Sequence, residues 1–405
     1  MSRAALAALS LAALSLAALS LAACDARPLV DKLPKGKTFS KFCTLPTPSC
    51  DELEFAPTHV PIAADAFDRG AGRCAAPATV PCGADPLSGE GNCASAVPLV
   101  VDGVVRVEGA TLSCADYAVE LLPNSTLELV DPTLSDVSFT VNGADGSTVR
   151  ILGGTLNTVH VALRGSAWLE IREHVTATEL SVDVSPEVEG ASVWVEDAAI
   201  QGLRVKAHTR SEVLIESSAV AQFMVTAGAL TLDASAITGA QLKAVEANFV
   251  RSELNSIDAE LTHTVFVVTN FRESALYGCA TLETIGGVIS QTHLSGCATP
   301  MDFLGTLVYR STVRGEALAT GATFSESVLS PGEGGTVWLE AEARAERSAF
   351  CDTDHVSLTT MSVARCNVCT PEIGLVEAED SAGLNPQCPS LDEVLVPLPP
   401  EAAHD

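Results

Sequence analysis

A column of short parallel strands wound into coils, an all-β solenoid, is the fold class that three observations in this 405-residue sequence predict. First, between residues 105 and 369 apolar residues recur at fixed offsets. Val193, Val195, Ile200, Leu203 and Val205 stand at offsets 0, 2, 7, 10 and 12, and Val213, Ile215, Val220, Phe223 and Val225 repeat them. Self-similarity of this kind outranks local propensity. Second, only 4% of the residues are aromatic, so the core has to be built from the small and β-branched side chains that suit stacked strands. Third, Cys279 and Cys297 each lie 15 residues beyond a coil start, at Thr264 and Leu282, which places them on neighbouring rungs. Strands stacked about 4.8 Å apart fall inside the Cα range of a disulfide.

In chain order, residues 1–23 hold one basic residue, Arg3, and an apolar run without carboxylates. The run ends in Leu21-Ala22-Ala23-Cys24, which resembles the lipobox of bacterial lipoprotein signal peptides. The resemblance implies cleavage before Cys24, lipidation of that cysteine, and an extracytoplasmic chain anchored by its acyl groups, inner or outer membrane unspecified. An uncleaved membrane helix is the alternative, since about 18 apolar residues span a bilayer. Residues 24–40, with Pro28, Pro34 and Gly36 and no periodicity, read as a tether.

Residues 41–104 carry Cys43, Cys50, Cys74, Cys82 and Cys93 among Pro, Gly, Ala and Asp. Such a segment buries little apolar surface, so cross-links are expected to order it as a cap over the first coil, with Cys114 as a sixth partner. The pairing among these six stays open. Setting aside Cys24, the thirteen cysteines leave an even twelve, which in an exported chain points to disulfides.

The coil stack is expected over residues 105–369. Coil starts fall at Val105, Leu127, Val149, Leu169, Val193, Val213, Leu230, Ala247, Thr264, Leu282, Met301, Ala317, Val337 and Val356, about fourteen coils spaced 16 to 24 residues apart. The Leu169 coil holds one extra residue, so Leu180 and Val182 arrive late. In each coil the pairs at 0 and 2 and at 10 and 12 are period-two strands with one face inward, and the residue at 7 marks a third, shorter strand. Three strands per coil resemble the right-handed parallel β-helix, the pectin-lyase-like architecture of pectate lyases and phage tailspikes. Ala247 to Leu254 alone resembles the pentapeptide repeat, whose coils are square. Repeats of this kind stand only in series and with capped ends. Residues 370–388 are expected to fold back as that cap, and residues 389–405, with Pro397, Pro399 and Pro400, form an acidic Pro-rich tail.

Chemistry is sparse. With 51 acidic against 23 basic residues the formal charge is −28, which repels phosphate backbones and excludes nucleic acid as a partner. Offset 3 places Arg172, Glu196, Glu216 and Asp233 on four successive coils, facing outward. Stacked carboxylates there are a candidate calcium site or a candidate acid and base acting on a saccharide; the competing reading is a solvated acidic face with Arg172 as counter-charge.

Asp352-Thr353-Asp354 resembles part of the Asn-Thr-Asp motif of polygalacturonases. Their Asp-Asp, Gly-His-Gly and Arg-Ile-Lys motifs are missing here, so no catalytic residue carries over. Cys351, His355, Cys366 and Cys369 have zinc-like spacing, but export and stacking favour a Cys351–Cys369 disulfide, with Cys366 meeting Cys388. No metal or other cofactor is assigned. Trp168, Trp194 and Trp338 lie at or beside the first strand, where tryptophan can stack on sugars, and His160 and His293 face solvent. Gly153-Gly154 and Gly286-Gly287 read as tight corners.

Two functions follow from this pattern. One is a non-enzymatic, envelope-anchored structural or adhesion module contacting polysaccharide or protein. The other is a polysaccharide lyase or glycoside hydrolase on the same scaffold, with Glu196, Glu216 and Asp233 as its acids.

Overall fold

The computed structural model describes residues 98–113, 116–185, 191–332, 335–346, 348–351, 355–358, 363–365, 368–369 and 375–378. Among them every regular element is a strand, every pairing is parallel, and all strands belong to one continuous sheet. The sheet is a right-handed β-solenoid. About twelve turns are described nearly throughout, against the fourteen expected, and the turns from Thr336 onward are described in part.

The expected register holds. Val193 pairs with Val213, Val213 with Leu230, Leu230 with Ala247, and Ala247 with Thr264. The five template positions point inward: Val193, Val195, Ile200, Leu203 and Val205 are all buried, as are their counterparts from Val213 to Val225. Ala247 to Leu254 lies in the same three-strand coil, so the pentapeptide resemblance does not extend to the fold.

Where the first strand turns into the second, one residue adopts the left-handed conformation at offset 4. Asp131, Asp197, Ser217, Ala234, Arg251 and Val268 take this position with φ between 49° and 53°. Offset 9 repeats the device before the third strand, at Asp136, Thr158, Gln222 and Ser256. A left-handed residue with a Cβ costs about 1–2 kcal/mol, so the corners are held by what is packed around them. In the Leu169 coil the extra residue goes into the first corner. Glu173 and His174 are both left-handed there, with φ of 65° each, and Val175 and Leu180 then rejoin the register against Ala198 and Leu203.

Buried hydroxyls complete the corners. The N–H of Ala234 donates up to the Val250 carbonyl, and that of Ala236 donates down to the Ser218 carbonyl. The N–H between them, on Ser235, meets the Ser252 hydroxyl at 3.3 Å. Ser252 donates in turn to the Val250 carbonyl at 2.9 Å. The same bond joins Ser218 N–H to the Ser235 hydroxyl and Ala198 N–H to the Ser218 hydroxyl. Later coils place this ladder at the second corner, where Thr292, Ser311 and Ser327 N–H groups donate to the hydroxyls of Ser311, Ser327 and Ser348. A buried N–H left without a partner costs about 1–3 kcal/mol, so these hydroxyls are structural.

The ladder exceeds both expected limits. Leu99–Val101 pairs with Val119–Leu121, ahead of residue 105, and Leu375–Ala378 pairs with His355–Leu358, beyond residue 369. Each adds a single strand of three or four residues, too short for a five-position template to detect. Residues 375–378 therefore continue the stack where a fold-back was expected.

Candidate functional site

The outward face of the first strands carries the predicted ladder. It is built by Trp168–Arg172, Ser192–Glu196, Glu212–Glu216 and the end of Ala219–Asp233. Val195 sits beside Ile171, Glu196 beside Glu216, and Glu216 beside Asp233, so the four residues do form one column.

Each carboxylate of the column is engaged within the chain. Arg172 Nε donates to Glu196 Oε2 at 2.5 Å. Trp194 Nε1 donates to Glu216 Oε2 at 3.0 Å. Arg251 reaches both oxygens of Asp233, at 2.7 and 2.8 Å. The Arg172 guanidinium also lies over the Trp194 ring, 4.4 Å from its centre, a cation–π contact. Exposed ion pairs contribute about 0–1 kcal/mol each, so the column adds little stability and mainly orders the surface. Among the described residues no group of three or more His, Cys, Asp or Glu side chains is gathered in a way that would hold a metal ion.

A second column on the same face was missed in the sequence reading. At offset 1, Arg106, Glu128, Arg150 and Glu170 alternate in sign on four successive rungs. Arg150 bridges Glu170 at 2.7 Å and Glu128 at 3.2 Å, and Arg106 approaches Glu128 at 3.5 Å. The hydrogen bond to Glu170 holds the Arg150 guanidinium above its ordinary range, against the opposing effect of burial. The alternation Arg, Glu, Arg, Glu is legible in the sequence at offset 1 of the first four coil starts, two residues before the outward offset 3 that carries the predicted ladder. No known family model, curated protein or solved structure matches this chain. Its site is therefore read from its own geometry.

The tryptophans separate. Trp168 is 41% exposed and sits beside Ser192, while Trp194 sits beside Glu170. Trp338 is far along the stack, beside Leu318. His160 lies 3.8 Å from Asp183, and His293 is half-exposed with its ring 5.7 Å from Tyr277.

Cys279 and Cys297 form the expected rung-to-rung disulfide, Cα atoms 4.3 Å apart. Cys351 is disulfide-bonded. The backbone register sets Phe350 beside Cys369, one residue away from the assumed stacking of Cys351 on Cys369. Cys24, Cys43, Cys50, Cys74, Cys82, Cys93, Cys114, Cys366 and Cys388 lie outside the described residues, as does Asp352-Thr353-Asp354.

Proposed function

We propose that the chain is an extracytoplasmic lipoprotein, anchored through Cys24, whose solenoid is a non-enzymatic binding module presenting flat strand faces to envelope polysaccharide. The observation that carries this reading is the state of the carboxylate column. Glu196, Glu216 and Asp233 are held by Arg172, Trp194 and Arg251. General acid–base catalysis needs a group poised to exchange its proton with substrate, whereas these groups stiffen a patterned surface. Lipidation supports firm anchoring because multiple acyl chains hold more strongly than one.

The two parts are tested separately. Metabolic labelling of the full chain with an alkynyl palmitate should mark the protein and leave Cys24→Ala unmarked; equal labelling of both removes the anchor. For the body, polysaccharides are incubated with the purified chain with and without calcium. Retention without product is expected. Release of product that disappears in Glu216→Gln would replace the binding module by a lyase or hydrolase, and release only with calcium would make the column its cation site.

A further inference from the structure

The second strands of the first four coils carry an array that the polysaccharide reading does not use. Thr111, Thr133, Thr155 and Thr176 stand directly above one another on successive rungs, all exposed. Two residues along each strand, on the same face, runs a second polar column. There Asn157 Nδ2 donates to the Ser135 hydroxyl at 3.3 Å, and the Thr178 hydroxyl donates to Asn157 Oδ1 at 2.6 Å. Rungs repeat every 4.8 Å or so and alternate residues lie roughly 6.6 Å apart, so the side chains form a flat two-column grid of hydroxyl and amide groups.

Charge decides what such a grid fits. The chain carries −28 overall, yet none of the grid positions is ionisable. The corners at its two edges are acidic, with Asp131 and Glu173 on one side and Asp136 and Glu179 on the other. An acidic rim repels polyanions and accepts hydrogen bonds from neutral hydroxyl groups. The column ends where the next rungs place Ala199 and Ala219 above Thr176, so among the described residues the hydroxyl grid is four rungs long. Aromatic platforms lie on a different strand face, at Trp168 and Trp194.

We propose that this grid binds an uncharged, extended β-1,4-linked glycan lying along the stack, with one sugar ring per rung. Such a chain advances by close to one rung spacing per sugar, with alternate rings turned over, so each ring meets one threonine and one further hydroxyl or amide side chain. The inference rests on the polysaccharide-binding reading and specifies for it both the face and the class of ligand.

The test uses the detergent-solubilised full chain and sedimentation with microcrystalline cellulose and chitin, with polygalacturonate gel as the charged comparison. Wild type is expected to bind the neutral solids and not the polyanion. Thr133→Ala with Thr155→Ala should weaken binding at least tenfold while the circular dichroism and melting profile stay unchanged, and Trp168→Ala should bind as wild type. Binding that survives the double variant and falls in Trp168→Ala would overturn the inference, move the site to the first-strand face and leave the general reading standing. Absence of binding to either neutral solid, or preference for polygalacturonate, would overturn it as well. Inhibition of ice recrystallisation that the double variant loses, without glycan binding, would overturn it in favour of crystalline water as the ligand.

Discussion

The coils from Val213 to Thr264 and those from Leu282 to Ala317 solve the same corner in different ways. In the earlier group the first corner is turned by Ser217, Ala234, Arg251 and Val268, all left-handed residues with side chains, and the buried hydroxyl ladder stands immediately after them. In the later group glycine turns that corner, at Gly286, Gly305 and Gly321, and the main ladder has moved to the second corner. The Cys279–Cys297 disulfide links the last coil of one group to the first of the other. A left-handed turn interrupts the alternation of ladder bonds, so a hydroxyl from the next rung has to satisfy the N–H left over. Backbone strain is tolerated where such a hydroxyl, or a glycine, is at hand.

The comparison breaks most severely at Gly287. Its φ is 82°, and an added Cβ would lie 2.2 Å from the Thr269 carbonyl oxygen and 2.7 Å from the Thr269 nitrogen. Left-handed strain of about 1–2 kcal/mol and overpacking of about 1–3 kcal/mol then act together. Gly287→Ala is expected to lose roughly 3 kcal/mol or more in urea unfolding. Gly305→Ala is the control, since a Cβ there meets nothing within 4 Å, and the loss should stay near 1 kcal/mol. Equal losses at the two sites would mean that conformation alone, and not the close approach of rungs, sets the need for glycine.

Next in size is Ser235→Ala. It removes the acceptor of the Ser218 N–H and the donor to the Asp233 carbonyl, with an expected loss of about 1–3 kcal/mol. Ser327→Ala, in the ladder of the later group, should lose a similar amount, because it removes the acceptor of Ser311 N–H. Hydrogen exchange at Ser218 and Ser311 reads out each ladder directly. Unchanged protection in either variant would show that its hydroxyls are not what satisfies the corner.

How much of this was legible follows from what the template counted. Aligning apolar positions located Val193 on Val213 and Thr264 beneath Leu282, and it explained the late arrival of Leu180. It passed over Ser218, Ser235, Ser252 and Thr269, which recur at 17-residue intervals but are polar and nonetheless buried. A hydroxyl inside a β-solenoid is invisible to a hydrophobic pattern because its reason for burial is a backbone N–H, which every residue has. The carboxylate column was placed correctly, since register alone fixes it. Its engagement by Trp194 and Arg251 depends on side-chain reach and on a corner residue one rung beyond the column's end, which spacing does not express. The terminal strands at Leu99 and Leu375 went unseen because one strand of a coil shows only one part of the repeat.

A smaller effect, of opposite sign, sharpens the contrast between the groups. Val268 is left-handed with φ of 50° and is 51% exposed, at the position where the next coil has Gly286. Relieving about 1–2 kcal/mol of strain, less glycine's entropic penalty of about 0.5–1 kcal/mol, makes Val268→Gly stabilising by about 0.5–1 kcal/mol. A loss of stability instead would show that the valine side chain, whose Cγ2 lies 3.7 Å from where a Cβ on Gly286 would stand, packs to more advantage than its backbone conformation costs.

The smallest effect concerns charge at offset 1. There the first coils alternate Arg106, Glu128, Arg150 and Glu170, whereas the later group puts Glu283 beside Asp302. Burial pushes the Asp302 carboxyl above its ordinary range. A carboxyl that holds its proton more tightly when folded adds stability at pH below its unfolded value, and that contribution is lost as pH rises through the raised folded value. Asp302→Asn should therefore be more stable than wild type at pH 7, with the difference closing as pH falls through the carboxylate range. Glu128→Gln should do the reverse at pH 7 and lower stability, because it removes a charge that Arg106 and Arg150 approach. A gap at Asp302 that stayed constant with pH would place its origin in packing, and the electrostatic difference between the two ends of the face would then reduce to the paired column alone.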